Sequence, residues 1–121
     1  MQWLIRAEQQ DWTAALSAAT QLVQTAPDRP AGWLHRAYAM RRVPEGGIEQ
    51  AWNLLLPAAE KFPSEGVIPY NLACYACQLG QLDESRRWFK IARRAGKAET
   101  MKTMALKDED LRPLWEEIRT L

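Results

Sequence analysis

The chain has 121 residues, of which 47% are apolar and 26% charged, and its formal net charge is +1. That length suits one domain able to bury about two-thirds of its unfolded surface, and a balance this close to neutral calls for neither nucleic acid nor an anionic membrane as partner. Two cysteines are too few for a secreted disulfide scaffold, and no stretch approaches the apolar length of a membrane span. The opening Met1–Gln2–Trp3–Leu4–Ile5–Arg6 lacks a basic end followed by a long apolar run. A cytoplasmic location is the expectation.

In chain order, Met1–Gln9 supplies about two turns of a first helix, with Trp3, Leu4 and Ala7 set to cover Trp12, Ala15 and Ala19. The second helix runs to Pro27. Pro30–Arg42 follows a start signal of Asp28 with Pro30 in the first turn, and Trp33, Leu34, Ala37, Tyr38 and Met40 recur at helical intervals. Pro44–Glu45–Gly46–Gly47 reads as a turn. Gly47–Lys61 is apolar on more than one face, as a helix packed between neighbours requires, and Pro57 inside it predicts a local kink. Val67–Leu79 stops at Gly80, and Asp83–Ala95 starts at an acidic cap and stops at Gly96. Two shorter helices, Ala98–Leu106 and Leu111–Ile118, close the chain, with Met101, Met104, Leu106, Leu111, Leu114 and Trp115 facing inward. No stretch alternates as a strand does.

One spacing returns three times: Ala15, Ala19, Leu22 and Pro27; then Ala51, Leu55, Ala58 and Pro63; then Ser85, Phe89 and Ala92. Upstream, Trp33 with Ala37 and Leu72 with Ala73 keep a matching distance, and 34 residues separate Ala51 from Ser85. Ala15 to Ala51 is two residues longer, an excess that fits the turn at 44–47. With these residues the chain resembles the tetratricopeptide repeat family, whose unit is a helical hairpin of about 34 residues. Arg36, Met40, Pro69 and Ala76 depart from the family's preferred residue types. The resemblance implies an all-α fold, an alpha-alpha superhelix of stacked antiparallel hairpins in a single domain over 1–121. Repeat 1 is about 1–29 with a truncated first helix, repeat 2 about 30–64 and repeat 3 about 65–97, followed by capping helices over about 98–121.

By the same resemblance the first helix of each hairpin lines a concave groove that binds polypeptide. The matching positions are Leu4, Leu34, Tyr38, Arg41, Arg42, Val67, Tyr70, Asn71 and Cys74. Family members that clamp a chaperone's C-terminal carboxylate use lysine, asparagine and arginine at defined positions. Here Leu4, His35, Val67 and Asn71 stand there, which argues against that clamp. An apolar, aromatic groove suits an extended or helical apolar segment, with Tyr38 and Tyr70 as anchors and Arg41 and Arg42 orienting an acidic residue.

Three constellations carry chemistry in other proteins. Cys74 and Cys77 form a Cys-x-x-Cys pair, but it lies within a helix rather than at a strand-to-helix junction, so the two read as small packing residues. Zinc needs four ligands, and His35 is the only other soft one. His35 has no sequence relation to a nucleophile or paired acid. Arg86, Lys90, Arg93, Arg94 and Lys97 form a stripe along one helix that reads as a solvated face, partly neutralised by Asp108–Asp110. The expectation is a non-catalytic interaction module with no metal or cofactor and a polypeptide partner. The alternatives are a three-repeat secretion-type chaperone; a structural role, in which self-association as a homodimer fills the groove or the chain is a fragment of a longer array; and an enzyme or redox protein using Cys74 and Cys77.

Overall fold

The computed structural model describes residues 11–121. The predicted first helix, Leu4 included, lies outside the described residues. Every regular element among the described residues is helical: α1 (Trp12–Thr25), α2 (Pro30–Met40), α3 (Ile48–Lys61), α4 (Val67–Gln78), α5 (Leu82–Ala95), α6 (Ala98–Ala105), a 3-10 helix (Glu109–Leu114) and α7 (Trp115–Arg119). None is long and apolar enough to cross a membrane. The chain forms two compact units that divide after Pro57.

In the first unit, α1 and α2 pack along one another across a four-residue loop. Gly32 sets how closely they approach, since a Cβ there would lie 3.1 Å from both the Leu22 Cγ and the Val23 backbone nitrogen. Ala19 and Val23 are the buried residues of α1, whereas Ala15 and Leu22 are exposed. The buried stripe thus departs from the repeat spacing by turning from Leu22 to Val23. The entry to α2 also differs from expectation: its cap is Arg29, extended and without a side-chain bond to the helix, while Asp28 lies one residue outside. Pro30 still supplies the pre-set φ at the first helical position. The Trp33 indole donates to the Pro27 carbonyl at 3.0 Å and so ties the loop to α2.

Beyond α2 the chain reverses through the predicted turn. The Gly47 amide donates to the Met40 carbonyl at 3.1 Å, and a Cβ on Gly46 would fall 2.0 Å from that same oxygen. Only glycine fits at 46. Ala51, Leu55 and Ala58 of α3, the three positions the spacing singles out, are fully buried. Pro57 lies inside α3, where it removes one helical donor.

The second unit holds an extensive core. α4 and α5 form a hairpin across Leu79–Gln81, with Gly80 at φ +79° ending the first helix as predicted. Buried Ser85 stands where a small residue is needed, and its hydroxyl donates to the Ala73 carbonyl across the helix pair at 2.7 Å. The hairpin's open end is closed by two glycines: a Cβ on Gly66 would lie 2.9 Å from the Gly96 Cα and nitrogen. α5 begins one residue earlier than expected, at Leu82, and Asp83 and Glu84 sit in its first turn instead of capping it. Acid at its start and Arg93 and Arg94 in its last turn both complement the helix dipole.

Phe89 and Ala92 of α5, Met101 and Ala105 of α6, and Leu111, Leu114 and Ile118 of the C-terminal segment meet α4 residues in one cluster. The last predicted helix is really two pieces. Pro113 cannot donate an α bond, and the chain winds as a 3-10 helix over Glu109–Leu114 before α7. Asp108 caps that turn by accepting from the Asp110 amide at 3.1 Å. The Trp115 indole donates to the Ala105 carbonyl at 2.8 Å. Met104, expected inside, is 40% exposed.

Candidate binding surface

Each unit carries one cluster of predicted site residues. In the first, the C-terminus of α2 leaves its last carbonyls without helical donors. The Arg41 amide bonds to the Ala37 carbonyl, and the Arg42 and Val43 amides both turn to Ala39, which passes over Tyr38. The Arg42 side chain serves that carbonyl: Nη1 donates to the Tyr38 oxygen at 2.9 Å. Folding back in this way lays the guanidinium over the Tyr38 ring, 3.6 Å from its centroid, and 5.2 Å from that of Trp12. Trp12 meets Tyr38 edge-on, with centroids 5.6 Å apart and planes at 60°. Tyr38 is 50% exposed although its ring is held on two sides. Trp12, at the start of α1, is half-buried and escaped the sequence reading as a site residue. Its spacing from Tyr38 across two helices gave no local signal.

Leu34 and Arg41, predicted beside Tyr38, are half-buried. Arg36 is engaged elsewhere, with Nη2 donating to the Leu54 carbonyl at 3.4 Å and its guanidinium 5.1 Å from the Trp33 centroid. Partial burial pulls its pKa below the ordinary arginine value. His35 is exposed.

The second unit corrects two of the groove assignments. Tyr70 and Cys74 are buried, at 4% and 2% exposure, because the segment after α6 folds across α4. The Tyr70 hydroxyl donates to Asp108 Oδ2 at 2.9 Å, and the Cys74 thiol lies 3.6 Å from the same oxygen. Gln78 Nε2 donates to the Asp110 carbonyl at 2.9 Å. The Tyr70 ring lies tilted on Phe89, with centroids 6.3 Å apart. Burial, then the nearby Cys74 and Asp108, push the Tyr70 phenol well above its ordinary pKa, so it stays a donor. Neither residue presents a face to a ligand. Val67 remains exposed at 38%, and Asn71 spends its amide on the Val67 carbonyl, at 3.0 Å.

Cys74 Sγ and the Asp108 and Asp110 carboxylates lie within 4.8 Å of one another. The sequence reading missed this group because 34 residues part its members. Asp108 already accepts from Tyr70, Cys74 and the Asp110 amide, which gives the cluster a sufficient structural role as the clasp between α4 and the 3-10 helix. Both cysteines are free thiols, and burial pushes the Cys77 thiol up, against a smaller opposing effect of the Ser85 hydroxyl. A raised thiol pKa disfavours the thiolate that redox chemistry uses.

The basic stripe of α5 is also tied down at one end. Arg86 bridges Asp83 at 2.6 Å and Glu117 at 2.8 Å, so these two carboxylates offset the charge at that end of the stripe. Arg86 in turn draws the Glu117 carboxyl below its usual pKa. Arg87 pairs with Glu84. Comparison of the chain with protein families, curated proteins and solved structures finds no match.

Proposed function

We propose that this protein is a non-catalytic, tetratricopeptide-like interaction module that binds a segment of another polypeptide, with the α2 surface as its primary contact. The observation that carries the reading is the Trp12–Tyr38–Arg42 cluster. An aromatic ring half open to water, yet fixed edge-on by a tryptophan and stacked by an arginine, is an ordered anchor that loses little entropy on binding. Tyr, Trp and Arg are the residue types that dominate binding energy at protein interfaces. The repeat spacing supports the architecture, and the Ser85–Ala73 contact between α4 and α5 falls at two of the small-residue positions that the hairpin pattern requires. With Tyr70 and Cys74 covered, the contact surface centres on α2 and the residues just after it, from Leu34 to Arg42, with Trp12 of α1.

The test is capture of partners from a lysate of the source organism by the parent chain, Leu34→Glu and Tyr38→Glu, with Arg93→Glu on α5 as a control. Capture lost in the two α2 variants but kept in the control, with an unchanged helical circular dichroism signal in all, supports the assignment. Capture lost only in the α5 variant moves the contact to the basic stripe and ends it.

A further inference from the structure

The Trp12–Tyr38–Arg42 cluster is uneven in charge and in hydrogen bonding. Among the described residues no carboxylate pairs with Arg42, whose partners there are a backbone carbonyl and two aromatic rings. The Trp12 indole N–H and the Tyr38 hydroxyl have no protein partner there either. The guanidinium lies over the Tyr38 ring and spends Nη1 on the Tyr38 carbonyl, so among the described residues its Nε and Nη2 donors remain for a carboxylate, which such a fork can bind bidentately. Among the described residues, what the cluster offers is therefore a cation, an indole donor and a phenol, with no anion.

The surroundings reinforce this. Between Asp28 and Glu45 the sequence holds Arg29, Arg36, Arg41 and Arg42 and not one acidic residue. Arg29 precedes α2 and Arg42 follows it, so positive side chains stand at both ends of an 11-residue helix roughly 16 Å long. A single chain terminus would satisfy one point of such a field. A run of acidic side chains would satisfy its length.

We propose that the Trp12–Tyr38–Arg42 cluster recognises an internal acidic stretch of polypeptide, with an Asp or Glu carboxylate on the edge of Arg42 and an adjacent apolar or aromatic side chain against Tyr38. This rests on the polypeptide-binding reading above and adds the chemistry of the ligand. The stacked arginine does not have to be ordered at the moment of binding, which makes the charge contact favourable despite its exposure.

The experiment is selection of a random peptide phage library on the intact protein, followed by fluorescence polarisation with the synthetic winners. Enrichment of peptides with Asp or Glu next to Phe, Tyr, Trp or Leu is expected. Replacing those acids by Asn or Gln should weaken binding about tenfold or more, and Arg42→Gln should weaken the acidic peptide while leaving its neutral counterpart unchanged. Because Arg42 also serves the Tyr38 carbonyl, Arg42→Lys provides the second variant: it keeps the charge but lacks the fork, and a several-fold loss is expected. Winners that are neutral or basic overturn the acidic ligand but leave peptide binding standing. No enrichment beyond that on a folded Tyr38→Ala variant overturns both. Loss of binding on amidating the peptide's C-terminus overturns the internal site in favour of a terminal carboxylate, and displacement by oligothymidylate at the peptide's own concentration overturns it in favour of nucleic acid.

Discussion

Leu111 offers a direct measure of how firmly the C-terminal segment is docked on the second unit. It is fully buried and belongs to the cluster formed with Tyr70, Cys74, Phe89 and Met101. Replacing it by alanine removes the transfer free energy of three carbons and leaves a cavity. The walls come from helices fixed by the Ser85–Ala73 bond and the Gly66–Gly96 approach, so collapse is restricted. Leu→Ala in such a site costs about 3 kcal/mol. For a chain of this size each kcal/mol moves the midpoint by roughly 3–6 °C, so Leu111→Ala should melt about 10–15 °C below the parent. Circular dichroism at 222 nm during a thermal scan reads this. The exposed neighbour Arg112, paired with Glu109 at 3.2 Å and 5.7 Å from the Trp115 ring centroid, is the control, and Arg112→Ala should shift the midpoint by no more than about 2 °C. A second readout is the rate at which Cys74 and Cys77 react with a thiol reagent, because both lie in the same cluster and local opening exposes them. A midpoint within about 3 °C of the parent, with thiol reactivity unchanged, would refute the docking argument.

Two further perturbations read other parts of the second unit. Gly66→Ala would drive a Cβ to 2.9 Å from the Gly96 backbone, which cannot yield as a side chain would; a loss of about 1–3 kcal/mol in urea unfolding is expected, with no loss arguing that the approach is looser. Tyr70 titrates in the folded chain above its unfolded value of about 10, so its contribution is complete below pH 10 and declines as the unfolded phenol ionises above it. The gap in urea midpoint between parent and Tyr70→Phe should therefore narrow from pH 9 to pH 11, whereas a constant gap would show that the phenol is not held protonated.

Tyr38 and Tyr70 show what could be read from sequence and what could not. The repeat spacing assigns both to the first helix of a hairpin, and by that assignment both read as anchors of one surface. Local signals carried well: the apolar periods placed α2 through α6 to within two residues, Gly80 stopped α4 and Gly46 turned the chain. These depend on interactions within a few residues, and the sequence states them directly. Burial of Tyr70 depends on a segment nearly 40 residues later that returns to α4, and no spacing encodes that return. One clue was present in composition. α4 carries Ile68, Pro69, Leu72, Ala73, Tyr75 and Ala76 around most of its circumference, and all are buried. A helix apolar on every side needs cover on every side. α2 lacks that property, because His35 and Arg36 break its apolar surface and Arg41 and Arg42 follow directly at its end. The same aromatic residue type is therefore core on α4 and surface on α2, and the difference lies in what flanks it. By that criterion Tyr38, 50% exposed, is the one of the two left at a surface. Trp12 escaped notice for the opposite reason, since only the meeting of α1 with the end of α2 makes it part of a site.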